Sequence, residues 1–289
     1  MRNRLPMQLL RPLILTCGFV LSGCGLAATP VVTVTMKPVE GAPEASVEPK
    51  ETVTGETPAS TAGGGGTGNF SGTVTLTDAF SGLKPLVSVG EKVLHPHVCS
   101  VAAVPDESLV VDPESKGVEN VFVYLEKAPP GAPAIPAPES QVFDQKGCRF
   151  IPHAMIVRTK IPLLVMSGDN ASHNTHTIPS RNSAFNSSIA PLERKGVPIN
   201  YGVSEKQPIE VKCDVHSWMK AYHLPLNHGF AAVTNSKGEF SIRGLPAGSY
   251  TFKVWHESSK DLERALKVVI VGGTDVTKKL EYPASKFGK

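Results

Sequence analysis

The chain has 289 residues, enough for one or two ordinary domains with a sizeable core. Its formal net charge of +3 is small and gathers into no basic stripe, which argues against a nucleic-acid partner. Hydrophobic content of 40% with 19% charged residues is a globular composition. Its 26 Gly and 25 Pro punctuate short apolar runs, a pattern that predicts an all-β protein rich in loops.

In chain order, Arg2, Arg4 and Arg11 form a basic start, and Pro12 to Leu21 form a short apolar run. The run closes with Leu21-Ser22-Gly23-Cys24, which resembles the lipobox of bacterial lipoproteins. That resemblance implies a signal peptide over 1–23, a lipid on Cys24, and a bacterial cell-envelope location facing the periplasm or the outer surface. No later stretch is apolar for long enough to span a bilayer. Residues 24–68 are rich in Thr, Pro, Ala, Glu and Gly without apolar period, and predict a disordered tether. A coil of that length reaches roughly 40 Å.

The folded part is expected from residue 69. Gly72 to Asp78 alternates as a strand. Val118 to Glu126 is the clearest strand of the first half, with Val121, Val123 and Leu125 on one face and Phe122 and Tyr124 on the other. Cys148 to Arg158 and Ile161 to Met166 read as two strands with a turn between. Ser167 to Asn170 breaks the pattern just before His173. Residues 177–208 read as one long polar loop. Ile209 to Cys213 alternates again, so Cys213 ends a strand and His216 and Met219 fall in the loop after it. Phe230 to Thr234 and Glu239 to Arg243 predict a hairpin around Asn235 to Gly238. Ser249 to Trp255, Leu266 to Val271 and Asp275 to Tyr282 complete a sheet, with a helical turn expected over Ser258 to Ala265.

The cysteines carry more information than the composition. Five Cys, less Cys17 in the leader and Cys24 under lipid, leave Cys99, Cys148 and Cys213. An odd count in an exported protein leaves one thiol without an intrachain partner, a liability unless it is buried or holds a metal. Cys213 is the one with ligands beside it, in Cys213-Asp214-Val215-His216-Ser217-Trp218-Met219. A thiolate, an imidazole and a thioether recur there at every third position. One Cys, two His and a weak axial Met are the donor set that suits copper. The second His comes from His173-Asn174-Thr175-His176, where His176 competes with His173 and the Asn after His173 favours the latter. Cys99 and Cys148 read as a disulfide, or as mixed donors of a second metal site with His95, His97 and His153, or as unpaired thiols. His223, His228 and His256 read as surface or hydrogen-bonding residues.

These two motifs together resemble the type 1 (blue) copper site of cupredoxins, with a ligand-loop spacing closest to amicyanin. The resemblance covers about residues 145–230. It implies a Greek-key β-sandwich over 69–229 with one copper, held by His173, Cys213 and His216 in a plane and Met219 on the axis. Asn174 would tie the two loops, His176 would stand in the site wall, and His216 beside Trp218 would be the exposed edge where a redox partner protein docks. Four donors leave no open position, so catalysis at the metal is not expected. Storage or delivery of copper by the same ligands is the alternative, and a structural or adhesive β module is another. Ala232 to Tyr250 is similar to carboxypeptidase-regulatory-like (transthyretin-like) sandwiches in its turn grammar, and residues 230–289 are expected to form such a region. Strands from 70–127 are candidates to pack with it.

Overall fold

The structure, a computed structural model, describes residues 65–288 apart from residue 135. The expected signal peptide, Cys24 and most of the tether lie outside the described residues. Among the described residues, sixteen strands, one short helix and one 3-10 turn follow in order. The first are β1 (Thr67–Leu76), the helix α1 (Pro96–Cys99) and β2 (Phe122–Tyr124). Then come β3 (Gln141–Gln145), β4 (Phe150–Ile151), β5 (Ala154–Arg158), β6 (Leu163–Val165) and β7 (His173–Ile178). Next are β8 (Asn186–Ile189), β9 (Val197–Ile199), β10 (Ile209–Lys212) and β11 (Lys220–Leu226). The last are β12 (Ala231–Val233), β13 (Glu239–Pro246), β14 (Gly248–His256), β15 (Lys260–Ile270) and β16 (Val276–Tyr282), before a 3-10 turn over Ala284–Phe287.

The strands form two all-β sandwiches. The central one pairs a five-stranded sheet, β5-β11-β10-β7-β8, with a four-stranded sheet, β4-β3-β6-β9. Phe143, Phe150, Val157, Leu163, Val165, Val211 and Ala221 fill the space between them. The flanking one pairs β13-β1-β16 with β12-β2-β14-β15. Its core holds Phe70, Val74, Phe240, Ile242, Phe252, Val254, Val268 and Ile270. β1 and β2 precede the central sandwich in sequence yet pair with strands that follow it. The site-bearing segment 141–226 is thereby inserted into the flanking sandwich, and the division expected at residues 229 and 230 is crossed by strand pairing.

Alternation explains how the halves join. Val121, Val123 and Leu125 enter the flanking core, while Phe122 and Tyr124 leave by the opposite face. There they meet Trp255 of β14 and Tyr222, Leu224 and Leu226 of β11 in a smaller apolar cluster. Burial of such side chains contributes about 1.5–3 kcal/mol each, so one short strand fastens two sandwiches.

Three expected elements differ. The turn Asn235 to Gly238 is present, closed by the Gly238 N–H donating to the Asn235 carbonyl at 2.8 Å. Its arms, however, join opposite sheets: β12 pairs with β2, and β13 with β1. It is a corner of the sandwich. Gly238 has φ of 75°, and a Cβ there would come within 2.2 Å of the Val74 carbonyl oxygen, so this corner requires glycine. Second, Ser258 to Ala265 forms no helix. Lys260 turns at φ 62° and Asp261 to Ala265 run on as β15, with Leu262 inward among charged neighbours. Third, β8 and β9 lie within the expected loop 177–208. They are edge strands whose residues are mostly polar or exposed, so no apolar alternation marked them.

Candidate metal centre

The two sequence motifs meet because β10 pairs antiparallel with both β7 and β11. Its last residue, Lys212, lies opposite His176 of β7 and opposite Lys220 of β11. The seven residues from Cys213 to Met219 form the turn between β10 and β11. That turn is held by the Cys213 N–H donating to the Met219 carbonyl at 3.1 Å and the Met219 N–H donating to the His216 carbonyl at 2.9 Å. Its curl puts Cys213, His216 and Met219 inward and leaves Asp214, Val215 and Ser217 exposed.

One donor atom each from His173, Cys213 and His216 lies within 4.8 Å of the other two, and all three residues are buried. The two Nδ1 atoms stand 3.0 Å apart, and the Cys213 Sγ is 3.8 Å from the Nδ1 of His216. Both imidazoles have their outer nitrogens engaged. His173 Nε2–H donates to Asp169 Oδ2 at 2.9 Å, and His216 Nε2 lies 3.1 Å from His95 Nδ1. A carboxylate only accepts, so the proton of a neutral His173 sits on Nε2 and its Nδ1 offers a bare lone pair. Nitrogen and sulfur lone pairs then converge on one point, an arrangement that a cation relieves.

The electrostatics agree. Burial, the largest influence, presses the His173 pKa down, but the bonds to Asp169 and Cys213 outweigh it and raise the group to about 8. Burial likewise opposes ionisation of Cys213. Hydrogen bonds from His173, His216 and the main chain of Asn174 and His216 overcome it and bring the thiol down to about 6. Each partner thus favours the charged form of the other, the thiolate for Cys213 and the imidazolium for His173. Asp169 is held below the usual carboxylate range despite burial, because His173 and the Cys148 and Gly147 N–H groups all donate to it. Soft sulfur with two imidazoles, rings fixed from behind, fits a zinc or copper ion.

No family model matches the chain, and no curated protein matches it. Among solved structures it is similar to a copper-containing nitrite reductase from Thermus scotoductus SA-01, with 16% identity and a TM-score of 0.27. That likeness covers 34% of this chain and 24% of the reductase, so the chain spans about a quarter of that protein. A purple cupredoxin from Nitrosopumilus maritimus is similar at 12% identity and TM-score 0.25, over 29% of this chain and 98% of that one. A reduced amicyanin variant is similar at 13% identity and TM-score 0.27, over 36% and 97%.

The remaining expected residues fall as follows. Met219 is buried in the same apolar cluster as Cys213. His176 stands apart from the donor set and is bonded through Nδ1 to Asp214 at 3.0 Å. Asn174 bridges the motifs: its Oδ1 accepts the Asp214 N–H at 2.7 Å and the Cys213 thiol at 3.3 Å, and its Nδ2 donates to Asp214. Trp218 packs on His216 at 5.2 Å between ring centres and donates its Nε1–H to the Cys148 carbonyl. Cys99 and Cys148 are disulfide-bonded. Among the described residues, His95, His97 and His153 complete no three-donor set with them. His153 is bonded to Glu257 instead. His223, His228 and His256 are all buried, so the surface reading of them is corrected.

The larger correction concerns His216, which has no exposed edge and is fully buried. The segment between β1 and β2 lies over it and places His95 on its outer nitrogen. His95-Pro96-His97 was visible as a cluster, but no spacing rule links residues 121 apart. Asp169 was missed altogether. It stands four residues before His173 in an irregular stretch, where sequence distance implies no contact.

Proposed function

We propose that the chain is a copper-binding electron carrier whose metal would be held by His173, Cys213 and His216, with the thioether of Met219 as a further donor. The observation supporting this is the convergence of three buried donor atoms whose imidazoles are both fixed by hydrogen bonds at their outer nitrogens. Copper, when bound, supplies a one-electron couple. The chain supplies the rest. Asp169 holds His173 in the tautomer that presents Nδ1 inward, and Asn174 binds β7 to the Cys213 loop. Strands β7, β10 and β11 keep the donors in place between oxidation states, which limits reorganisation. Trp218 and the surrounding apolar cluster keep water away from the sulfur. By the same reading a lipid on Cys24 anchors the domain in a bacterial envelope, where a redox protein is its partner.

The test is optical. Purified protein loaded with Cu(II) is expected to absorb intensely in the visible through thiolate-to-copper charge transfer, and Cys213→Ser to abolish the band with the β circular dichroism retained. A colourless wild type at full copper occupancy overturns the type 1 assignment. One observation favours a second reading, a copper store or delivery protein: burial of His216 removes the imidazole edge that electron exchange would use. Tight Cu(I) binding with very slow self-exchange would support it.

A further inference from the structure

We propose that His95 is the electron port of the centre, the outer imidazole through which buried His216 exchanges electrons with reagents at the surface. The proposal rests on the copper reading above and answers the objection that His216 is closed off. His95 Nδ1 lies 3.1 Å from His216 Nε2, with the rings 5.3 Å apart and tilted by 56°. His95 is half-buried and His97 beside it is exposed, so one hydrogen bond separates the buried ligand from solvent.

The tautomers are consistent along the whole path. A His216 that offers Nδ1 to a metal keeps its proton on Nε2, and donates it to Nδ1 of His95. His95 then carries its own proton on Nε2. The pair is no second metal site, because no His, Cys, Asp or Glu of the described residues completes a three-donor set with it.

Of the centre's other neighbours, Trp218 and Met219 line a cavity of about 300 Å³, whereas His173 is backed by protein. Behind His173, Asp169 is occupied by the Gly147 and Cys148 N–H groups. Trp218 turns its N–H inward to the Cys148 carbonyl, and Met219 is buried. His95 is also held firmly. It occupies the left-handed region at φ 55°, and its carbonyl accepts the N–H groups of Val98 and Cys99, both at 2.9 Å. Cys99 is bonded to Cys148, whose N–H in turn holds Asp169. A single disulfide therefore steadies the outer partners of both imidazoles. A loose lid over the site would need no such anchoring.

The experiment compares wild type with His95→Phe, which keeps a ring over His216 but removes the acceptor nitrogen. His95→Asn is the second variant, because Asn tolerates the left-handed conformation that strains Phe. Copper(I) protein is mixed with hexacyanoferrate(III). One electron passes from copper to iron, giving Cu(II) and hexacyanoferrate(II), with no bond made or broken, and the growth of colour gives the rate. The expected result is an unchanged final spectrum with a rate lower on the order of tenfold in both variants. A rate equal to wild type, or faster, overturns the proposal. A second readout needs no metal: in 15N-labelled copper-free protein, a nitrogen–nitrogen coupling across the His216–His95 hydrogen bond is expected, and its absence also overturns the port. Failure of colour in wild type would instead sink the copper reading itself.

Discussion

The two sandwiches are built from the same strands and turns but solve different problems. The flanking core is packed mainly with apolar side chains, with Phe70 on Phe240 and Phe252 at 5.1 and 4.8 Å between ring centres. The central core gives up apolar packing at one end, where His173, His216, Asp169 and Cys213 are buried together. Buried ionisable groups are costly unless each finds a partner, and here they find one another, main-chain N–H groups and a disulfide wall. Stability and the candidate site therefore lie in different halves: one is packed for stability, and the other bears the electrostatic cost of a donor cluster that a cation would relieve.

Substitution in the flanking core should therefore unfold without touching the site. Phe252→Ala, at a fully buried position, is expected to cost about 3–5 kcal/mol. Molecules that remain folded should still take up one copper with an unaltered spectrum. Denaturant unfolding of the metal-free protein measures the first, and an optical copper titration the second. A changed spectrum would mean that the halves are not separable.

The disulfide is where the comparison sharpens, since it serves both purposes. Its 49-residue span predicts a loss of about 4 kcal/mol from chain entropy when both cysteines become serine. Unlike Phe252→Ala, Cys99→Ser with Cys148→Ser should also weaken copper retention, because Asp169 and His95 lose their common anchor. Equal copper affinity in the double variant, measured against a competing chelator, would show that the bond is structural only.

Acid should treat the halves alike. Burial pushes His223 of the central sandwich and His256 of the flanking one down to about 3, and His228 to about 4. The unfolded chain protonates these groups below pH 6.5, whereas the folded chain resists until about pH 3 to 4. The unfolded state thus binds more protons across that window, and stability falls as pH drops through it. At pH 4.5 the loss is about 2.7 kcal/mol for each of His223 and His256. His153, held above its ordinary value against its burial by Glu257 and Glu107, acts in the opposite sense and adds stability as pH falls through the ordinary histidine value. Urea midpoints from pH 7 to 4.5 measure the trend, and a flat profile would mean that these rings are not buried neutral.

The flanking sandwich was the more legible half. Alternation over Val118 to Glu126 assigned both faces of β2 correctly, because a strand covered on two sides must place large side chains on each. At the site, the thiol and the imidazole of the β10–β11 turn could be read from spacing, since these expected donors are local to one loop. Their partners could not. Asp169 and His95 act through contacts that depend on where β6, β7 and α1 finish in space. The corner at Gly238 looked like a hairpin because turn chemistry is the same whether the next strand joins its neighbour or crosses to the other sheet. Sequence records the turn and not its destination.

The smallest expected effect bears on that hidden layer. Asp169 accepts three hydrogen bonds, from His173 Nε2 and the Gly147 and Cys148 N–H groups. Asp169→Asn keeps the shape but replaces one acceptor oxygen with a donor and removes the charge. One of the three N–H groups then faces an N–H, and the electrostatic support that raises His173 against its burial is lost. A weaker base is a weaker ligand, so copper affinity should fall by about 10–100-fold, equivalent to about 1.4–2.7 kcal/mol, with the visible band retained. The His173 pKa in the metal-free variant, followed by imidazole NMR, should drop from about 8. If affinity stays within a factor of about three while that pKa falls, the carboxylate sets the proton and not the metal, and the centre depends on its strands alone.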